Sequence, residues 1–358
     1  MQSIHPTQTP ADVAVVIPTV LRPSLLRVAR SVFTQNFEGR IHLLIGVDVA
    51  QGDRSLLDTL SAECPSHVML TVVDPGYSTS RRHGGMHGNF FSGSLRTVLS
   101  YLANSRYVAY LDDNDWWGAN HLALLVAAIQ DKAWAWSGRW MVHPDQWPIC
   151  RDEWDSVGPG KGINAERFGG FVQPSGLMLD MTECHFIVPL WSMAAFPDGS
   201  GEDRLIFDQL RRFQSGATGQ FTSFCTLAHD TLFHDHHRRE FEKRGLAWVN
   251  DDNLYNKIRP LEDDLNALSQ AGEWDEAATL ADQILRHNPN HAPSLHVQAM
   301  TKRVHGDVVT ALALMAQALE IDDSHPDWLE LMAQWAKENG DDDVAVRIEN
   351  TRHRRFDR

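Results

Sequence analysis

Cysteine is scarce in this chain of 358 residues: Cys64, Cys150, Cys184 and Cys225 are the four, far apart and without a C-x-x-C pair. Such spacing argues against a disulfide framework or a cysteine zinc site and suits reduced thiols, so a cytoplasmic setting is expected. Long apolar runs are missing as well. No window approaches the roughly 20 apolar residues that span a bilayer. The opening MQSIHPTQTP lacks the apolar centre of a secretory signal. Positive charge is short too: 32 basic against 47 acidic side chains leave a formal net charge of −15. Nucleic acids and anionic membranes both select basic surfaces, so neither is an expected partner. A hydrophobic content of 43% with 22% charged residues is that of a globular chain, not a disordered or fibrous one. At roughly 100–200 residues per domain, the length predicts two or three domains.

The carboxyl end is periodic. Gly272, Gly306 and Gly340 stand 34 residues apart, as do Leu261, Leu295 and Leu329, and Ala277, Ala311 and Ala345. Each glycine precedes an acidic residue. A small residue at a turn and paired alanines beyond it, as in LNALSQAGEWDEAATLADQILRHNPNH, let two helices reverse and approach closely. The period and these positions resemble the tetratricopeptide repeat, a helix–turn–helix unit of about 34 residues. Three repeats over residues 259–358 are near the minimum for a stable stack. They carry 19 acidic and 10 basic side chains, so −9 of the net charge lies here. An acidic array of this kind is expected to dock a protein partner or acceptor, or to dimerise the chain.

Residues 1–258 read as one α/β domain. DVAVVIP (12–18), IHLLIGVD (41–48), HVMLTVVD (67–74) and RYVAYLDD (106–113) are short apolar runs, predicted as buried strands. SLLRVARSVFTQ (24–35), DRSLLDTLSAEC (53–64) and GSLRTVLSYLANS (93–105) alternate with them and carry apolar residues at helical spacing. Alternation of this kind predicts a three-layer, mostly parallel sheet, with ligands bound beyond the carboxyl ends of the strands. Pro18, Asp48, Asp74 and Asp112 fall at such ends, which predicts an acidic site.

VAVVIPTVLRPSLLRVARSVFTQ, YLDDNDWWGANHL and GSGEDRLIFDQL (199–210), in this order and spacing, resemble the family 2 glycosyltransferases of the GT-A fold. The resemblance covers about residues 12–240. It implies a Rossmann-like nucleotide-sugar-binding domain that moves a sugar, with inversion, from a nucleotide diphosphate (a UDP-sugar first) to a hydroxyl of a glycan or protein. A leaving diphosphate gathers negative charge, which a divalent Mn or Mg ion held by carboxylate oxygens stabilises. The implied metal ligands are Asp113 and Asp115, with Asp112 turned to the nucleotide ribose. Asn114 interrupts the cluster, and the usual metal-binding aspartate aligns with Asn114 or with Asp115. Asp203 is the implied general base, and its neighbour Glu202 holds an acceptor hydroxyl. Pro18, Thr19 and Arg22 match the first nucleotide-binding loop, Asp48 the contact to the base, and Arg96 an arginine that faces the phosphates. In AHDTLFHDHHRRE (228–240), His229 and then His234 match a histidine that completes the metal site.

Three segments are left. The loop DPGYSTSRRHGGMHGNFFSGS (74–94) has Arg81, Arg82 and His83 to offset diphosphate charge. Trp134, Trp136 and Trp140 fall on one face of a predicted strand and are expected in the core, whereas Trp147 and Trp154, among Pro, Asp and Arg, are expected to be exposed. SVGPGKGINAERFGG (156–170) is expected to border the acceptor. Two other functions are weighed against transfer. A scaffold whose transferase domain has lost activity finds its support in Asn114. A nucleotidyltransferase would need a glycine-rich basic phosphate loop after the first strand, and PTVLRPS (18–24) has no glycine.

Overall fold

The computed structural model describes residues 9–89, 92–232 and 234–357. Residues 1–8, which hold most of the polar amino-terminal segment, lie outside them, as do residues 90 and 91 of the long loop and residue 233 of the histidine-rich segment. The chain divides into two compact units: the described residues up to Arg139 with Asp152–Ser223, and Trp140–Arg151 with Phe224 onward.

The first unit begins with four parallel strands. β1 (Ala11–Thr19), β2 (Ile41–Val47), β3 (Val68–Val73) and β4 (Ser105–Tyr110) alternate with helices α1 (Leu25–Phe33), α2 (Ser55–Glu63) and α3 (Gly93–Leu102). Every bound lies within three residues of the predicted one. β1 lies between β2 and β4, with Val15 opposite Leu43 and Ala109. Val13 to Ile17 are fully buried, as a strand flanked on both sides and covered on both faces requires.

Beyond β4 the sheet changes character. β5 (Trp116–Trp117) and α4 (His121–Ala128) precede β6 (Trp134–Val142) and β7 (Pro148–Arg151). β8 (Gly158–Pro159) and β9 (Gly170–Phe171) form a separate ribbon around α5 (Ala165–Phe168), and β10 (Leu177–Asp180) then leads into α6 (Met181–Cys184). α7 (Glu202–Leu210) precedes β11 (Ser215–Thr226). Among the described residues the main sheet has nine strands in the order β3-β2-β1-β4-β10-β6-β11-β5, with β7 beside β6. β10 runs antiparallel to both β4 and β6, so the sheet is mixed, and the predicted parallel arrangement holds only for its first four strands.

Trp134 and Trp140 are buried and Trp136 is half-buried. Trp147 and Trp154, expected to be exposed, are buried instead, at 8% and 5% exposure. The polar neighbours that suggested exposure are consumed internally around Trp154: Asp152 accepts from Arg139 Nε at 2.7 Å and from the backbone N–H groups of Trp154, Asp155 and Ser156. Trp147 packs 6.0 Å, ring to ring, from both Trp248 and His291.

In the second unit α8 (His229–Leu232) and α9 (Asp235–Lys243) precede a run of paired helices: α10 (Asp252–Ala271) with α11 (Trp274–His287), α12 (Ala292–Val304) with α13 (Val308–Ile321), and α14 (Pro326–Glu338) with α15 (Asp342–Phe356). Gly272, Gly306 and Gly340 occupy the three turns with φ of 76°, 83° and 87°, a conformation that side chains resist. Ala277, Ala311 and Ala345 are buried where the helices meet. The 34-residue period is thus a helix–turn–helix repeat, with α10 starting seven residues before the predicted boundary at 259. No helix among the described residues is long and apolar enough to cross a membrane.

Candidate active site

Parallel strands of one sheet end on one edge, and here the residues at those ends bond to one another. Thr19 closes β1, and its hydroxyl donates to Asp113 Oδ2 at 2.9 Å. The Val20 N–H reaches the same oxygen at 3.2 Å, and the exposed Arg22 lies 3.4 Å from Asp113 Oδ1. The Ser24 hydroxyl, at the start of α1, donates to the Asp113 carbonyl at 2.6 Å. The loop between is held in an uncommon shape. Leu21 is fully buried with φ of 63°, and its N–H donates to Thr19 Oγ1 at 2.8 Å. Gly52 permits this, since a Cβ there would meet the Leu21 carbonyl oxygen at 1.6 Å. A non-glycine residue kept at positive φ costs about 1 kcal/mol or more and needs surrounding structure to enforce it.

Asp48, just past β2, is 4% exposed and accepts from the Ser78 hydroxyl at 2.9 Å. The loop after β3 is therefore folded back onto the strand ends. Ser80 accepts from the Gly85 N–H and donates to the Asn89 carbonyl. Arg81, Arg82 and His83 form an exposed turn within it. Pro18 is buried in β1 opposite Gly46.

Two further elements converge on the β4 end. Arg96, on α3, is 6% exposed and bonds to Asp112, with Glu202 Oε1 3.9 Å away at the start of α7. Burial opposes the charge on Arg96, but Asp112, Glu202 and Asp203 around it raise its pKa on balance. The carboxyls feel the opposite pressure. Burial pushes Glu202 up to about 7, against the pull of Arg96 and with help from Asp203 and Asp112. Asp203 is raised by burial, and the cation of Arg204, the Arg204 N–H at 2.8 Å and Arg96 offset this only partly. Asp113 is raised by burial despite Arg22, Thr19 and Val20. Several carboxylates in one poorly solvated site cannot all ionise freely near neutral pH.

Asp115 is engaged elsewhere. It is 1% exposed, and its Oδ2 accepts from Ser175 Oγ at 2.6 Å and Gln173 Nε2 at 3.1 Å. Gln173 Nε2 also reaches Asp112 Oδ2 at 3.3 Å, and Ser175 Oγ accepts from the Asp112 N–H at 3.1 Å. Gln173 and Ser175 thus fix the aspartate turn, and sequence reasoning passed over both. The only local signal is Pro174 between two polar residues, ahead of β10.

The residues do not make a preformed metal cage. Among the described residues, no group of three or more His, Cys, Asp or Glu could hold a metal ion. Asp113 and Asp115 face different donors, and His229 and His234 belong to the other unit. A hard cation that arrives on a diphosphate needs only one or two protein carboxylates, however, and Asp112 fits that requirement best, with its side chain 27% exposed.

The chain is thus an α/β unit with a built, acidic site at the carboxyl ends of β1, β2 and β4, followed by a helical repeat array. No family model matches it, and no curated protein does. Among solved structures it overlays TarS of S. aureus at 11% identity and a TM-score of 0.44, covering 96% of this chain and 55% of TarS. For TarS 1-349 in complex with UDP-GlcNAc the identity is 12% and the TM-score 0.44, over 96% of this chain and 90% of that one. The type III secretion translocator chaperone SycD of Yersinia enterocolitica overlays 30% of this chain and 80% of its own at 12% identity, with a TM-score of 0.27. The chain spans little more than half the length of the longer TarS chain it overlays. At these values the likeness is one of loose outline.

Proposed function

We propose that the first unit transfers a sugar from a nucleotide diphosphate, a UDP-sugar first, to a hydroxyl acceptor. One observation carries this reading: Arg96 ties the Asp112 turn at the end of β4 to the Glu202–Asp203 pair at the start of α7. A donor-side carboxylate and an acceptor-side acid–base pair are thereby coupled through one buried cation.

In this mechanism the Thr19–Leu21 loop and Asp48 hold the nucleoside, and Asp112 lies toward the diphosphate. Asp203 accepts the proton of the acceptor hydroxyl as its oxygen attacks the anomeric carbon from the face opposite the diphosphate, so configuration inverts. Glu202, whose proton is held more tightly by burial, orients an acceptor hydroxyl. A divalent Mn or Mg ion carried by the diphosphate and held by Asp112 would neutralise charge on the leaving group. The acidic repeats recruit a protein partner or acceptor.

The test is turnover of UDP-, GDP- and dTDP-sugars with and without Mn or Mg. The expected result is release of one nucleotide diphosphate, lost in Asp203→Asn but with donor binding retained. No release by the wild type would point to the inactive scaffold for which Asn114 argues, and equal release by wild type and Asp203→Asn would remove Asp203 as the base.

A further inference from the structure

The residue after the proposed base is also unusual. Arg204 lies half-buried on α7, with its guanidinium carbon 3.5 Å from the centre of the Phe171 ring and 5.0 Å from that of Phe168. Phe168 and Phe171 belong to the ribbon at 158–171, which is tied by the Gly160 N–H to the Gly169 carbonyl and the Gly170 N–H to the Asn164 carbonyl. The aromatic platform is therefore fixed. Arg204 Nη1 is shielded from water and has no hydrogen-bond partner among the described residues. Shielded donors are nearly always paired, so an orphan guanidinium N–H points to an absent acceptor atom.

The nearby charges do not supply that atom. Asp155 is taken by Arg139 Nη2 at 2.6 Å and by Asn164 Nδ2 at 2.6 Å. Asp203 takes the Arg204 backbone N–H on Oδ1. Arg139 and Arg167 add positive charge around Arg204, and burial with these two lowers its pKa against the pull of Asp203 and Asp155. On proton uptake Asp203 also loses its charge, which leaves Arg204 with less compensation than before.

We infer that Arg204, on its Phe171 platform beside Asp203, binds an anionic group of the acceptor, an oxyanion of a phosphate ester or a sugar carboxylate. A guanidinium suits either, because its planar fork donates two parallel hydrogen bonds to such a group. Bound there, the oxyanion restores the charge balance as Asp203 takes the proton, and it sets the distance from anion to attacking hydroxyl. This inference rests on the transferase reading, whose acceptor class it specifies.

The experiment is calorimetric titration of the full-length chain, saturated with UDP, by glycerol 3-phosphate and by glucuronate, with glycerol and glucose as neutral controls. The phosphate and carboxylate arms separate the two chemistries. At least one anion should bind while the neutral compounds do not. Arg204→Met should weaken that binding roughly tenfold or more and leave UDP affinity unchanged, since a charge-assisted hydrogen bond is lost while the apolar stem stays. Arg212→Ala, which removes an exposed arginine of the same segment, should change neither. Should Arg204→Met fail to fold, Arg204→Gln is read in its place. Undiminished anion binding in the folded variant, or no anion binding by a wild type that does bind UDP, overturns the inference. A wild type that binds no nucleotide overturns the transferase reading, and this inference with it.

Discussion

Replacing Glu202 by Gln should stabilise the protein above pH 7 and change little below pH 5. Glu202 is 4% exposed, and burial raises its carboxyl from 4.5 to about 7. A carboxyl raised in the folded state binds its proton more tightly there than in the unfolded chain. Its contribution is therefore harmless below pH 4.5 and becomes a cost as pH climbs from 4.5 through about 7. At about 1.4 kcal/mol per tenfold change in affinity, the full cost is on the order of 3 kcal/mol at alkaline pH. Gln keeps the shape and removes the charge. Urea unfolding of both proteins at half-unit steps from pH 5 to 8.5 gives the difference in stability, in which titrations common to both cancel. That difference should grow in favour of Glu202→Gln across the window and level off above it. A difference independent of pH, or a variant less stable at pH 8.5, would show that Arg96 holds Glu202 fully ionised and would refute the charge balance derived for the site.

Arg96→Met should destabilise by about 3–5 kcal/mol, because it leaves Asp112 and Glu202 without their buried cation, and denaturant midpoints check this. Asp203→Asn should lower transfer by about 10²–10⁴-fold at unchanged nucleotide affinity, read from initial rates and calorimetry. Gly52→Ala should cost about 1–3 kcal/mol and weaken UDP binding together, since its Cβ displaces the Leu21 carbonyl and with it the loop that bonds Asp113. In the repeats, Ala311→Leu should cost about 1–3 kcal/mol by overpacking a fully buried contact, with nucleotide affinity as the unaffected control.

The parts of this protein that its sequence discloses are those governed by local pattern. β1 and β2 are near-continuous apolar runs because both their faces are covered, and the runs end where polar residues must meet solvent or ligand. The repeat glycines are legible because only a turn at positive φ selects glycine at equal spacing. Strand direction beyond β4 is not local, and nothing in the sequence of β10 states that it runs against β4. Polarity misled at Trp154, since Asp152 and Arg139 neutralise each other inside the fold. The aspartate turn was legible as a motif, but its support was not. Gln173 and Ser175 lie some 60 residues away in sequence, and only the return of the chain at β10 brings them to Asp112 and Asp115. Likewise, no local pattern states that Arg96 joins two carboxylates on separate elements.

The proposed function places a nucleotide-diphosphate site at the carboxyl ends of β1, β2 and β4. Calorimetry of the full-length chain with UDP, GDP and dTDP, in the presence of Mn or Mg, tests it most directly when repeated on Thr19→Val. Saturable binding of one nucleotide per chain is expected, with UDP favoured and affinity reduced in Thr19→Val, where the bond to Asp113 is gone. Absence of binding by every nucleotide in the folded wild type, or binding indifferent to Thr19→Val, would contradict it.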